Sequence, residues 1–260
     1  MVKIVRTNIP SSKGNLAAVV HYPYQHTERL AILCPGHLDS KDYTHLVRLA
    51  ETLSAQGYTA VRFDPTGTWE SDGSLADYTI EQQLRDVRCV RDALVAEGAY
   101  TYILLGGHSR GGLISILYAA HDPSISMVVG IMAPYALRRT VNEEKIAQWQ
   151  KDGFRLSSRD VPGQNTTRVF RVPYSSLQEV ERYNALDVVG SLRIPIVLVA
   201  GENDDVVLPE DVQRMFDDAH EPKAYMLIEG VGHDYRQSDR EVAVVNERIM
   251  DQLKAFDGRR

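Results

Sequence analysis

The stretch Ile103-Leu104-Leu105-Gly106-Gly107-His108-Ser109-Arg110-Gly111-Gly112-Leu113-Ile114 decides the reading. An apolar run ends in glycines around one serine. Apolar residues then return at helical spacing, at Leu113, Ile114, Ile116 and Leu117. Gly107-His108-Ser109-Arg110-Gly111 has the form G-x-S-x-G, which between a strand and a helix makes a nucleophile elbow. The turn is so sharp that a side chain at either flanking position would clash, hence glycine on both sides of the serine. The serine hydroxyl is lifted to the N-terminus of the next helix, where free N–H groups suit a developing oxyanion. A dinucleotide-binding fingerprint cannot be placed here, and a P-loop fails because Gly112 stands where lysine is needed.

Working outward, Lys3 to Asn8 and Leu16 to Tyr22 read as an opening hairpin around the turn cluster Pro10 to Asn15. Leu30 to Cys34, Tyr58 to Asp64, Tyr102 to Leu105, Ile125 to Met132, Pro195 to Ala200 and Ala224 to Glu229 read as short strands. Helices are expected over Tyr43 to Gln56, Thr79 to Glu97, Arg110 to Ala120, Pro209 to Ala219 and Glu241 to Phe256. Thr79 caps its helix, with Gln82 in capping-box register. The alternation predicts one α/β domain over 1–260, a mostly parallel sheet covered by helices on both faces. It breaks after Ala133-Pro134, and residues 135–190 read as a lid or cap insertion.

A serine hydroxyl needs a base within reach. In such sheets the reacting groups lie beyond the carboxyl ends of the strands. Two strands end in suitable loops, Gly201-Glu202-Asn203-Asp204-Asp205-Val206-Val207 and Gly230-Val231-Gly232-His233-Asp234. The order Ser109, Asp204, His233 is the one that accompanies a hydrolase elbow. Each residue has a plainer reading: a post-strand Asp is commonly a turn former, and Asp205 or Glu210 could cap the helix at Pro209. Three independent positions in the right order favour the chemical reading. His21, His26, His45, His121 and His220 read as structural or solvated, and His108 as packed. No grouping has zinc-ligand spacing, so no metal or cofactor is expected.

Composition bounds the partners. A net charge of −6 disfavours nucleic acid. No run of eighteen apolar residues and no signal-type start are present, so no membrane partner is expected and the default placement is cytoplasmic. Cys34 and Cys89 lie in apolar surroundings and read as free buried thiols. Oligomeric state is not legible. In the insertion, Arg138, Arg139, Lys145, Lys151, Arg155, Arg159, Arg168 and Arg171 outnumber Glu143, Glu144, Asp152 and Asp160. The plain reading is a solvated face; the sharper expectation is that some arginines steer or hold an acidic substrate.

With these motifs in view, the sequence resembles the α/β-hydrolase family, and within it the small cinnamoyl and feruloyl esterases. The resemblance rests on Gly107 to Gly112, Gly201 to Val207, Gly230 to His233, Gly57 to Asp64 and Glu70-Ser71-Asp72-Gly73. It implies a serine hydrolase acting on small carboxylic esters through Ser109, Asp204 and His233. It also implies an oxyanion hole from the backbone N–H groups of Arg110 and His37. Pro35 and His37 depart from the histidine and bulky apolar residue of relatives, and Thr66 and Trp69 from an arginine and a glycine. A thioesterase or peptidase would use the same parts, and a ligand-binding homologue without activity is the remaining alternative.

Overall fold

The computed structural model describes residues 3–258, apart from the side chain of Arg139. Strand β1 (Lys3–Ser11) pairs antiparallel with β2 (Gly14–Tyr22). The hairpin runs further than the turn cluster suggests, because Pro10 and Ser11 still pair with Asn15 and Gly14. β1 is an edge strand, where the missing N–H of Pro10 costs no ladder bond. The parallel strands are β3 (Arg29–Cys34), β4 (Thr59–Phe63), β5 (Tyr102–His108) and β6 (Met127–Ile131). β9 (Ile196–Gly201) and β10 (Lys223–Ile228) complete them. The eight-stranded sheet has the order β1-β2-β4-β3-β5-β6-β9-β10.

Both faces of the central strands are buried, which is why they read as unbroken apolar runs. Within β3, Leu30, Ile32 and Cys34 join one core cluster, while Ala31 and Leu33 join the other. The second cluster is closed by α1 (Thr44–Ala55) and α8 (Asp239–Asp257). The first is closed by α2 (Ile80–Glu97), α3 (Arg110–Ala119) and α7 (Pro209–Asp218). Thr79 caps α2 by accepting from the Gln82 N–H, but the capping box is only half formed. The Gln82 amide turns away to the buried Asp86 carboxylate, which also holds Thr66.

Residues 135–190 carry order that the broken alternation hides. Helix α4 (Glu143–Asp152) starts at the Asn142 cap and stops at left-handed Gly153. Strands β7 (Phe154–Asp160) and β8 (Thr167–Pro173) form a separate antiparallel hairpin. Helices α5 (Ser175–Val180) and α6 (Leu186–Val189) lead back to β9. Trp149, Phe170, Val172 and Leu177 are buried in the same cluster as Leu113 and Leu117 of α3, so the insertion shares the core of the sheet. Of the two cysteines, both free, Cys34 is buried and Cys89 only half-buried, because α2 turns Cys89 partly outward.

Candidate active site

The elbow is fixed by hard contacts. Ser109 has φ +52° and ψ −120°, a conformation that a non-glycine residue adopts only under constraint. A Cβ at Gly107 would lie 2.4 Å from the Cys34 carbonyl oxygen, and one at Gly111 2.1 Å from the same atom. Both flanking positions must therefore be glycine for α3 to pass the end of β3. The Ser109 N–H donates to the Ile131 carbonyl at 2.8 Å, tying the turn to β6.

Asp204 and His233 arrive from the ends of β9 and β10. The Asp204 side chain is buried. Its Oδ1 accepts from the N–H groups of Val206 and Val207 at 2.9 and 2.7 Å. Its Oδ2 lies 2.7 Å from His233 Nδ1, and His233 Nε2 lies 3.0 Å from Ser109 Oγ. The two loops are locked together, since Asn203 N–H donates to the Val231 carbonyl and Gly230 N–H to Glu202. Asp205 is exposed and does not cap α7, whose N-cap is Leu208 without a side-chain bond.

His37 and Arg110 frame the other side of Ser109. Arg110 is the first residue of α3, and no intramolecular acceptor takes its N–H or that of His37 among the described residues. The loop holding His37 is clamped from two directions. The Tyr78 hydroxyl accepts from the Leu38 N–H at 2.9 Å, inside the core. Arg159, from β7, donates twice to the His37 carbonyl at 3.2 and 3.0 Å. Trp69 adds a bond from its indole N–H to the Leu38 carbonyl and meets Phe170 edge-on. Trp69 thus joins this loop to the insertion rather than merely covering its own loop. On the far side Lys41, 1% exposed, pairs with the buried Asp64 carboxylate at 2.9 Å and joins the loops after β3 and β4.

These groups open onto a cavity of about 250 Å³. Ser109, His233 and His37 line it together with Leu137, Trp149 and Leu177 of the insertion. Of the basic residues in the insertion whose side chains are described, only Arg155 and Arg159 reach it. Arg138 is engaged by Glu143 and Glu181, Arg171 stacks on Phe154, and Lys145 and Lys151 face solvent. The Arg139 side chain lies outside the described residues. Burial holds the His37 imidazole well below its ordinary pKa, and Arg110, Arg155 and Arg159 push it the same way. It is therefore neutral, and its Nε2 accepts from Arg155 at 3.0 Å.

Behind His233 lies a second polar group. His108 packs against the His233 ring with centroids 4.8 Å apart. His45, expected to be structural or solvated, is fully buried beside it. Burial brings the His45 pKa down to about 3 and lowers that of His108. Asp39 faces both rings at 3.8 and 3.6 Å, and the ligand atoms of the three residues lie within 4.8 Å of one another. They are the described residues best placed to hold a cation, and only the fold brings them together, so sequence spacing could not reveal them. Tyr78, Arg155 and Arg159 were equally hidden as individual site residues, because each meets the Ser109 region through a partner remote in sequence.

A serine at a strand–turn–helix elbow, facing a histidine and a buried carboxylate at the carboxyl edge of a parallel sheet, defines the hydrolase class of α/β proteins. Residues 31–247 match the alpha/beta hydrolase family, and the chain belongs to it. It is 26% identical over 210 residues to the palmitoyl-protein thioesterase ABHD10, mitochondrial, of Mus musculus, covering 80% of this chain and 69% of that one. Against the Homo sapiens counterpart it is 25% identical over 177 residues, covering 68% and 57%. The chain thus spans little more than half the length of the human relative. Among solved structures it resembles Est1E from Butyrivibrio proteoclasticus with ferulic acid bound, with TM-score 0.77 and 22% identity over 96% of this chain and 98% of that one. It also resembles GrgF from a Penicillium species, with TM-score 0.80 and 21% identity over 97% and 98%. At these identities the structural likeness speaks for the fold. No helix among the described residues is long and apolar enough to cross a membrane.

Proposed function

We propose that this chain is a serine hydrolase that cleaves small carboxylic esters through an acyl-enzyme on Ser109. The observation that carries the reading is the unbroken hydrogen-bond chain Asp204–His233–Ser109, opening on a cavity beside two free backbone N–H groups. Ser109 Oγ attacks the acyl carbon while His233 Nε2 takes its proton. Asp204 holds the proton on Nδ1 and stabilises the imidazolium that forms. The N–H groups of His37 and Arg110 stabilise the oxyanion. His233 returns the proton to the leaving oxygen, then activates the water that releases the acid. The reading needs neither metal nor cofactor.

Residues 135–190 serve as the lid in this reading, since they supply much of the cavity wall. The thioester is the second candidate substrate, favoured by the thioesterase activity for which the relatives are named. Free thiols at Cys34 and Cys89 suit a reducing compartment. The cytoplasm remains the proposed one, although the relatives are named as mitochondrial.

The test is labelling with a neutral fluorophosphonate, followed by a panel of matched oxygen esters and thioesters. Labelling at Ser109, lost in Ser109→Ala, supports the acyl-transfer reading, and the panel ranks ester against thioester. Folded protein that neither labels nor turns over any of them is a binder, and the reading falls.

A further inference from the structure

Among the described residues Arg155 has no counter-ion. Its side chain reaches from β7 into the cavity that contains Ser109 and His233. Its guanidinium stacks over Trp149 at 4.3 Å and donates to neutral His37. Its Nε is shielded from solvent and has no hydrogen-bond partner, and no carboxylate lies within ion-pair distance of the guanidinium among the described residues. The charges around it are of its own sign, Arg159 and Arg110. Arg110 is engaged by the Gln83 side chain and stacks on Tyr78. Arg159 bonds the His37 carbonyl and stands 4.0 Å from Asp39. Arg236 and Asp234 also line the cavity and stand 3.6 Å apart, so they offer Arg155 no unmatched acid.

A charged group withdrawn from water is costly unless it is paired. Burial and the neighbouring arginines both lower the Arg155 pKa, but an arginine does not lose its proton at neutral pH. A planar guanidinium matches a carboxylate through two parallel N–H bonds, and such charge-assisted bonds strengthen away from solvent. The structure therefore has a preformed partner for a compact anion in the cavity that Ser109 lines.

We propose that Arg155, supported by Arg159, is a specificity residue that binds a free carboxylate on the substrate, so that the ester cleaved at Ser109 is an anionic one. This rests on the acyl-transfer reading and narrows it. The position of His37 between Arg155 and the oxyanion hole fits the same picture. Its neutral ring accepts one Arg155 N–H and holds the guanidinium in place.

The experiment compares matched pairs at fixed ionic strength. p-Nitrophenyl hydrogen glutarate against its methyl ester puts the anion on the acyl side. 3-Acetoxybenzoate against methyl 3-acetoxybenzoate puts it on the alcohol side. The anionic member of one pair is expected to have the higher kcat/KM, and the winning pair locates the carboxylate. In Arg155→Met the anionic-to-neutral ratio should fall about 10–100-fold, the worth of a charge-assisted hydrogen-bond pair. Lys151→Met, which removes one positive charge from the exposed end of α4, should leave that ratio within about twofold. Should Arg155→Met not fold, Arg155→Lys keeps the charge without the fork and should lower the ratio by at least about threefold. Preference for the neutral member in both pairs overturns the proposal, as does a ratio unmoved by the Arg155 variants or moved equally by Lys151→Met. Fluorophosphonate separates the two levels. Labelled protein that hydrolyses neutral esters without anionic preference lacks only the subsite, whereas unlabelled, inactive protein fails the parent reading.

Discussion

The elbow and the inserted segment meet over the same cavity and are built by different rules. The elbow is made by neighbours in the chain and is dictated by contact. Any side chain at Gly107 or Gly111 would drive into the Cys34 carbonyl. The insertion reaches the site through Arg155 and Arg159, whose partner His37 lies 118 and 122 residues away. A steric requirement leaves a motif behind it; the reach of one long side chain leaves none. The elbow half carries the groups proposed to react, and the half that sequence patterns describe poorly carries those proposed to choose the substrate.

The largest effect expected on the rigid side is at Asp204. Its Oδ1 takes two backbone N–H groups, so in Asp204→Asn the amide oxygen must stay there and the NH₂ must face His233 Nδ1. The ring is then driven to the wrong tautomer. We expect kcat to fall by about 10³–10⁴-fold with little change in KM, as for the equivalent change in serine proteases. Asp205→Asn should stay within about tenfold, because Asp205 is exposed and Asp204 is the carboxylate bonded to the ring. Assay of both on one activated ester, with circular dichroism as the folding check, decides the assignment; a reversed order breaks it.

Next in size is the buried pair beneath the His37 loop. Lys41→Met leaves the Asp64 carboxylate without its partner in the interior. Denaturant unfolding should show a loss of about 3–5 kcal/mol. A loss below about 1 kcal/mol would mean that this loop is not held from the sheet side, and the contrast with the insertion would weaken.

The smallest effect concerns the clamp. Tyr78→Phe removes the acceptor for the buried Leu38 N–H. An unsatisfied buried donor costs about 1–3 kcal/mol, and the His37 N–H loses its fixed place beside Ser109. We expect kcat to fall about 5–30-fold, with KM changed by less than about threefold. An effect confined to KM would move Tyr78 from positioning the oxyanion loop to shaping the cavity.

These contrasts explain what could be read in advance. The sheet, its helices and the positions of Ser109, Asp204 and His233 leave marks in sequence, because each residue follows an apolar strand and sits among glycines or turn formers. The marks fade where a side chain has a choice of partner. Gln82 stands in capping-box register, yet its amide goes to Asp86. His45 lies at a helix start and is buried against His108. Helix α4 has both an Asn142 cap and a Gly153 stop, but without regular alternation around it those signals do not stand out. The uncompensated charge of Arg155 was visible only as a local excess of basic residues, since seven neighbours of like charge surround it in sequence and, of those with described side chains, only Arg159 follows it into the cavity.

One consequence is optical. The chain has two tryptophans, and both lie where the insertion meets the rest. Trp149 sits beneath the Arg155 guanidinium, and Trp69 touches Phe170 while bonding the Leu38 carbonyl. The eight-stranded sheet carries neither among its strands. Intrinsic emission from this protein therefore reports on the roof of the cavity, and a fluorescence melt would record that roof detaching while the sheet beneath it could still be whole.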